Sequence, residues 1–324
     1  MPKVVVASHS FGRLAETGMR MLEGRGYEVE VAPEGTGPEE EFLRLLSDAD
    51  GIILGAQDFP RRFMESAPRL KVISRHGVGV DNVDVGAATE LGIVVTNTPD
   101  VYVGAVADLT VGLILCAARR IIEAHQSVRA GRWERPVGMS VYGKVLGVVG
   151  TGRIGSAVIR RMRGFAMTFL AYDVAPNPVL SREFGVRYVR LDELLRRSDF
   201  VTVHVPLTER TRGLIGEREL RMMKPTAILV NTSRGGVVDE RALCKALKEG
   251  WIAGAALDVF EREPPKGSPL LELPNVVFTS HIGSHTKECL EEMSRLAAEN
   301  LISVLEGVRP PHMVNPEVWG RRRR

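Results

Sequence analysis

Gly150-Thr151-Gly152-Arg153-Ile154-Gly155 follows an apolar run (Val145, Leu146, Val148, Val149) and leads into a helix-like segment from Ala157 to Met162. A glycine-rich turn alone is weak evidence. Here, however, Asp173 closes the next strand-like run, Phe169-Leu170-Ala171-Tyr172, 18 residues beyond Gly155. Strand, turn, helix, strand and acid in that order form the dinucleotide-binding arrangement. Gly150 permits the tight turn, Gly152 lets a pyrophosphate approach the backbone, and Gly155 lets the helix pack close to the sheet. The helix N-terminus offers N–H groups and partial positive charge to the phosphates. Asp173 suits both hydroxyls of an adenosine ribose and would repel a 2′-phosphate, so the expected cofactor is NAD rather than NADP.

The chain has 324 residues, a length suited to two domains. Its hydrophobic fraction of 44% and charged fraction of 26% are those of a globular protein in water. A net charge of +3 gives no global attraction to nucleic acid or to a membrane. The run Arg321-Arg322-Arg323-Arg324 reads as a disordered, solvated tail. Cys116, Cys244 and Cys289 form no CxxC pair and no metal-like spacing, so they are expected buried and reduced, with no metal. The opening Met-Pro-Lys-Val-Val-Val shows no signal-peptide pattern, and the longest apolar stretch, near Val111 to Ala118, is too short to cross a bilayer. A cytoplasmic location is expected.

The first hundred residues alternate β-branched runs with amphipathic stretches. Lys3–Ala7, Tyr27–Ala32, Gly51–Gly55, Leu70–Ser74 and Ile93–Thr96 read as strands; Thr17–Gly24, Glu39–Leu46 and Val85–Leu91 read as helices. A second series supplies strands at Val145–Val149, Phe169–Asp173, Phe200–Val205, Ala227–Asn231, Gly254–Val259 and Val276–Thr279. The rhythm predicts α/β architecture with two doubly wound parallel sheets. Val103 to Gln126 reads as one long connecting helix. Lys287 to Glu306 is again helical and has no sheet of its own, so it is expected to return to the first domain, making that domain discontinuous and leaving a ligand cleft at the strand ends.

Three polar residues directly follow apolar runs of the second series. Arg234 follows Ile228–Ser233, Glu263 follows Leu257-Asp258-Val259-Phe260, and His281 follows Val276–Ser280. Taken singly, such a histidine is more often a core or capping residue, such a glutamate a solvated loop acid, and such an arginine half of a surface ion pair. Their neighbours change the reading. Gly147–Gly155, Asn231–Glu240 with its Ser-Arg-Gly-Gly-Val-Val-Asp-Glu, Asp258–Pro265 and His281-Ile282-Gly283-Ser284 resemble, in order, the motifs of the D-isomer-specific 2-hydroxyacid dehydrogenases. The resemblance spans nearly the whole chain apart from the arginine run. It implies a Rossmann NAD-binding domain at 99–286 inserted in a discontinuous flavodoxin-like substrate-binding domain at 1–98 and 287–324. It also implies NAD as cofactor, a homodimer or homotetramer, and an Arg–Glu–His triad.

By that resemblance His281 is the acid–base group, since reducing a 2-keto acid needs a hydride on C2 and a proton on its oxygen. Glu263 is its partner, because an adjacent carboxylate favours the charged imidazolium. Arg234 clamps the substrate carboxylate with its planar fork and polarises the carbonyl. Implied cofactor contacts are Gly150, Gly152 and Gly155, the helix amides at Arg153 and Ile154, and Asp173. His204, Pro206 and Thr211 lie on the adenosine–pyrophosphate side. Thr232, Ser233 and Asp258 lie around the carboxamide, with Val106 and Gly283 also against the cofactor. Thr151 stands where leucine is common and Ser280 where proline is usual.

Leu70-Lys71-Val72-Ile73-Ser74-Arg75-His76-Gly77-Val78-Gly79-Val80-Asp81-Asn82 resembles the substrate loop of the family. Gly77 and Gly79 free the backbone to turn, so the N–H groups of Val78 and Gly79 can cradle a carboxylate, with Arg75 adding charge. His76 replaces an expected small residue; contact with the substrate's tail and plain solvation are both open. Asn97-Thr98-Pro99-Asp100 resembles the interdomain hinge, and Asp108 reads as a helix cap or ion-pair partner.

The expected partner is a small 2-keto or 2-hydroxy acid, with no nucleic acid and no membrane. Ser74–Asp84 and Gly131-Arg132-Trp133-Glu134-Arg135 resemble phosphoglycerate dehydrogenases, in which an arginine at the position of Arg135 can reach a neighbouring subunit's phosphate site. Val94–Val101 and Ala246–Asp258 equally resemble glyoxylate and hydroxypyruvate reductases. This places D-3-phosphoglycerate/3-phosphohydroxypyruvate first and glyoxylate/hydroxypyruvate second, with no serine-responsive domain expected. Formate dehydrogenases typically carry glutamine where Glu263 stands. An NADH-sensing corepressor of the same fold is the reading from another class; the complete triad favours the enzyme.

Overall fold

The computed structural model describes residues 1–33 and 38–323. Two compact units emerge: Met1–Tyr102 with His285–Arg324, and Val103–Ser284. The motifs of the sequence place these junctions at 98/99 and 286/287.

The first unit carries β1 (Lys3–Ala7), β2 (Glu28–Val31), β3 (Gly51–Leu54), β4 (Val72–Arg75) and β5 (Val94–Thr96), with helices α1 (Thr17–Gly24), α2 (Glu39–Leu46), α3 (Arg61–Glu65) and α4 (Val85–Glu90). The strands pair in parallel in the order β2-β1-β3-β4-β5, the flavodoxin-like arrangement. Side chains alternate between two cores. Val5, Ile52, Ile73 and Val95 enter one; Val4, Val6, Ile53, Val72 and Val94 enter the other. Burial on both faces explains why these strands read as continuous apolar runs. Asp84 caps α4 by accepting from the Ala87 N–H at 2.8 Å.

The second unit begins with α5 (Val103–Arg119) and α6 (Ile121–Arg129), followed by β6 (Val145–Val149), α7 (Arg153–Met162), β7 (Thr168–Tyr172), α8 (Pro178–Phe184), β8 (Arg187–Tyr188), α9 (Leu191–Arg197), β9 (Phe200–Val203), α10 (Glu217–Met222), β10 (Ile228–Asn231), α11 (Glu240–Lys248), β11 (Gly254–Leu257) and β12 (Val276–Phe278). Its sheet runs β12-β11-β10-β9-β6-β7-β8, all parallel. Strand order therefore reverses between β6 and β9, the Rossmann switch point, where open α/β sheets take their ligands. The last helix, α12 (Lys287–Leu305), packs Ala297, Ala298, Leu301 and Ile302 onto the first sheet.

Two expectations need correction, and one short strand escapes the sequence reading. The single helix expected from Val103 to Gln126 is two, broken at Arg120, whose φ of 52° is left-handed. Apolar residues continue through Ile121 and Ile122, so periodicity does not register the break. The two-residue edge strand β8 is too short to show alternation. The arginine run is not a solvated tail among its described residues. The Arg322 guanidinium lies 3.7 Å from the Trp319 ring centroid, and Arg323 donates to the carbonyls of Ala67 and Leu91 at 2.8 Å each. Carbonyls left over at element ends bind these cations, which a charge count cannot reveal; Arg324 lies outside the described residues. No helix among the described residues is long and apolar enough to cross a membrane.

Candidate active site

Arg234, Glu263 and His281 all belong to the second unit. Asn231, buried at the end of β10, folds the chain that follows. Its Oδ1 accepts from the Ser233 N–H (3.0 Å) and hydroxyl (2.8 Å), and its Nδ2 donates to the Arg234 carbonyl at 2.9 Å. Arg234 Nη1 donates to the Ser233 carbonyl at 2.8 Å. A Cβ on Gly235 would lie 1.9 Å from the Phe260 carbonyl carbon. Only glycine permits that backbone approach, which seats the loop carrying Glu263 against the loop carrying Arg234. Neither Asn231 nor Gly235 was singled out from sequence, although an asparagine closing an apolar strand just before Ser-Arg-Gly-Gly is a usable signal.

Glu263 then joins two elements. Its Oε1 accepts from the Phe260 N–H at 3.0 Å, and its Oε2 faces His281 Nδ1 at 2.6 Å. A carboxylate at Nδ1 makes that nitrogen the donor and leaves Nε2 for other chemistry. Burial would push Glu263 up; the His281 hydrogen bond and charge, the Phe260 N–H and the Arg234 guanidinium outweigh it and hold the carboxyl below its ordinary value. The Glu263 and His281 side chains are 37% and 48% exposed, open enough to reach a ligand.

His281 has a left-handed backbone, φ 54°. Asp258, 1% exposed, sets it: its carbonyl accepts from the His281 N–H at 2.9 Å. Its carboxylate accepts from the N–H groups of Ile282 (2.8 Å) and Gly283 (2.9 Å) and from the Thr279 hydroxyl (2.6 Å). Gly283 packs against Val106, so Val106, Asp258 and Gly283 do meet. Thr232 pairs its hydroxyl with Thr110 at 2.9 Å. Asp108 forms an ion pair with Arg161.

The glycine-rich turn lies at the switch point. A Cβ on Gly155 would fall 2.0 Å from the Gly150 carbonyl oxygen, and one on Gly150 2.9 Å from the His204 backbone. At Gly152 nothing lies within 4 Å, and α7 has no side-chain cap. Open space therefore faces a helix N-terminus, which suits an anion. Asp173 accepts from Ala175 (2.9 Å) and Thr151 N–H groups and from the Thr151 hydroxyl (3.0 Å). Burial pushes its carboxyl up, and these donors more than reverse that, holding it below its ordinary value. His204 pairs Nε2 with the Thr202 hydroxyl at 2.9 Å and leaves a buried Nδ1 without a partner. Burial pushes its pKa down to about 3. An uncapped helix end, an open glycine, an acid after β7 and an orphaned imidazole nitrogen fit a dinucleotide. Thr211 uses its hydroxyl locally, donating to the Pro206 carbonyl at 2.6 Å, so the two residues close their own loop. Among the described residues, no group of three or more His, Cys, Asp or Glu could hold a metal ion.

In the first unit, the four carbonyls of His76 to Gly79, directly after β4, are all taken. Arg75 donates to His76 (2.6 Å) and Gly79 (3.0 Å), the Thr98 N–H to Gly77 (3.0 Å), and Asn97 Nδ2 to Val78 (2.9 Å). The N–H groups of Val78 and Gly79 have no acceptor among the described residues. A loop with its carbonyls turned inward and two amides uncommitted has the character of an anion nest. Arg75 shapes that loop from within. His76 is 5% exposed, which overturns the solvated reading.

Comparison with known proteins agrees with this architecture. The profile of the family described as D-isomer specific 2-hydroxyacid dehydrogenase, NAD binding domain, matches residues 111–283. A glyoxylate reductase from Thermococcus litoralis is 45% identical, covering 98% of each chain. A D-3-phosphoglycerate dehydrogenase from Methanocaldococcus jannaschii is 47% identical over 93% of this chain and 58% of its own. A crystal structure of an NADPH-dependent glyoxylate/hydroxypyruvate reductase from Sinorhizobium meliloti, in complex with NADP and malonate, is 33% identical with a TM-score of 0.83, covering 100% of this chain and 99% of that one. With profile, sequence and fold in agreement, the chain belongs to the D-isomer-specific 2-hydroxyacid dehydrogenases, oxidoreductases that act on CH–OH with a nicotinamide cofactor.

Proposed function

We propose that this enzyme reduces a small 2-keto acid, glyoxylate first, with NADH, and that Arg234, Glu263 and His281 carry the reaction. The observation that supports it most is the 2.6 Å contact of His281 Nδ1 with a Glu263 carboxylate that also feels the Arg234 charge. A bound reduced nicotinamide supplies the hydride for C2 of the keto acid. His281 delivers the matching proton from Nε2 to the carbonyl oxygen, and Glu263 holds the ring so that Nε2 is the free end. Arg234 polarises the carbonyl and balances the carboxylate. In the first unit, proposed to bind substrate, the amides of Val78 and Gly79 form a cradle for a carboxylate. Asp258 keeps His281 in its left-handed conformation while taking part in the carboxamide site with Thr232 and Ser233.

Glyoxylate precedes 3-phosphohydroxypyruvate because the Thermococcus litoralis glyoxylate reductase matches end to end. The phosphorylated acid is the second reading, supported by the 47% identity to the Methanocaldococcus jannaschii enzyme. Initial rates with glyoxylate, hydroxypyruvate and 3-phosphohydroxypyruvate, each with NADH and NADPH, decide between them. Highest kcat/KM on the phosphorylated acid reverses the order; no turnover of any 2-keto acid overturns the assignment of the three residues.

Asp173 makes NADH the preferred cofactor. Its carboxylate is held ionised at the end of β7, where it meets a ribose with hydroxyls and opposes one with a phosphate. Asp173→Ala should shift the NADPH/NADH ratio of kcat/KM toward NADPH by about tenfold or more, a change of ~1.4 kcal/mol or more. Equal use of both cofactors by the unaltered enzyme removes this role.

Self-association as a homodimer or homotetramer is also proposed. Ile121, Ile122 and Val128 of α6 and Trp133, Val137 and Tyr142 beyond it are exposed, Trp133 to 75% and Val137 to 86%. Apolar side chains so concentrated in one segment mark an interaction surface. Light scattering should return a multiple of the 35.6 kDa chain mass, and Trp133→Glu with Val137→Glu should return the monomer.

A further inference from the structure

His76 has no part in the chemistry above, yet its side chain is buried and joined to a second loop of the first unit. Its Nδ1 lies 3.1 Å from the Ser8 hydroxyl and 3.2 Å from the Ser10 hydroxyl. Its ring stands edge-on to Phe11, with centroids 5.6 Å apart and planes at 87°. Its Nε2 is buried without a partner. Ser8, Ser10 and Phe11 belong to the loop that leaves β1; His76 opens the loop that leaves β4. These strands are not neighbours, because β3 lies between them. The His76 side chain therefore bridges two loops at the carboxyl end of the sheet, over the end of the intervening strand. The His76 N–H adds to the bridge by donating to Leu54, the last residue of β3, at 2.9 Å.

We infer that His76 is a positioning residue for the substrate's carboxylate: it ties the loop bearing the Val78 and Gly79 amides to the Ser8–Phe11 loop, so that the two amides are held ready for an anion. The proposal rests on the reading of those amides as the carboxylate cradle. Three features lead to it. Gly77, next to His76, has a φ of 148°, so the loop turns immediately beyond the ring, two residues before the Gly79 amide. The ring is neutral, its pKa pushed down to about 4, first by burial and then by the Arg75 charge. A neutral ring can accept from both serine hydroxyls through Nδ1, and it then carries its proton on Nε2. That tautomer leaves the buried Nε2–H without a full hydrogen bond, with only the Leu290 backbone beside it.

Three variants of the full-length enzyme test the inference. In His76→Ala the KM for glyoxylate should rise about tenfold, the weight of one or two buried hydrogen bonds. Its kcat should stay within about twofold, and NADH affinity, read by protein-to-nicotinamide fluorescence transfer, should be unchanged. His76→Asn, whose amide can still meet a serine hydroxyl, should recover most of the KM. Ser8→Ala with Ser10→Ala should raise KM as His76→Ala does, and serves if that variant fails to fold. Hydrogen exchange supplies a readout independent of turnover: amides 76–80 should exchange faster in His76→Ala while those of α12 do not. Oxamate, a non-reducible 2-oxo anion, should bind more weakly to the NADH complex of the variant. Unchanged KM and oxamate affinity overturn the inference, as does uniformly faster exchange, which marks ordinary destabilisation. If exchange changes locally while the unaltered enzyme neither turns over a 2-keto acid nor binds oxamate, the cradle reading fails and the inference falls with it, although the loop tie itself stands.

Discussion

His281→Ala lowers turnover by about a hundredfold or more while NADH binding is retained. The imidazole Nδ1 is taken by Glu263 at 2.6 Å, so Nε2 is the only ring nitrogen left to exchange a proton with substrate. The loop itself does not depend on the ring: Asp258 holds the backbone of residues 281–283 through its carbonyl and carboxylate. Alanine at a φ of 54° carries the same kind of strain that histidine carries there, so the loss should lie in kcat and not in folding. Glu263→Gln should also lose activity. The double variant should be little worse than His281→Ala alone, because Glu263 acts through the ring. Single-turnover rates with preloaded NADH measure the effect. Unchanged rates in His281→Ala remove this residue from proton transfer, and additive losses separate Glu263 from it.

Acidification from pH 7.5 to 4.5 destabilises the fold by several kcal/mol before most carboxylates protonate. His76 is pushed down to about 4 and His204 to about 3, from an ordinary value of 6.5. Above pH 6.5 both rings are neutral in the folded and the unfolded chain, and burial carries no proton penalty. Below it the unfolded chain binds a proton that the folded chain refuses. Stability therefore falls with pH by about 1.4 kcal/mol per unit for each ring, until the folded value is passed. For His76 this amounts to roughly 3 kcal/mol between pH 6.5 and 4. His204, partly open to solvent as a residue, adds in the same direction. Asp173, Asp199 and Glu263, each held below its ordinary value, add the same sign only at lower pH. Urea denaturation across this range measures the slope. His76→Asn should flatten it by about one proton, and an unchanged slope would show that His76 is protonated in the native state.

The readable parts of the sequence are those whose physics is local. The turn Gly150–Gly155 needs glycine because a Cβ at Gly155 would strike the Gly150 carbonyl five residues away, and such a requirement shows in the letters themselves. The strands Val4–Val6 and Val148–Val149 are buried on both faces and announce themselves as apolar runs. Arg234, Glu263 and His281 were found by the motifs around them, since each alone has an ordinary explanation. Where an interaction joins distant segments, the letters carry no trace of it. Gly235 is an unremarkable glycine until the Phe260 backbone is seen against it. His76 reads as a departure from type, and only the meeting of the β1 and β4 loops shows that it is buried on Ser8 and Ser10. The break at Arg120 is hidden because apolar periodicity continues across it.

Sequence by itself determined two parallel sheets and a dinucleotide turn, because periodicity and glycine sterics act over a few residues; the groups available for reduction were legible only through the resemblance of their motifs. Tertiary structure alone decided that Asp258 props the His281 loop, that Arg323 docks on leftover carbonyls, and that the amides of Val78 and Gly79 stand uncommitted while their carbonyls are all engaged. Those outcomes depend on hydrogen bonds between segments far apart in the chain, whose partners are chosen by packing and not by neighbouring residues.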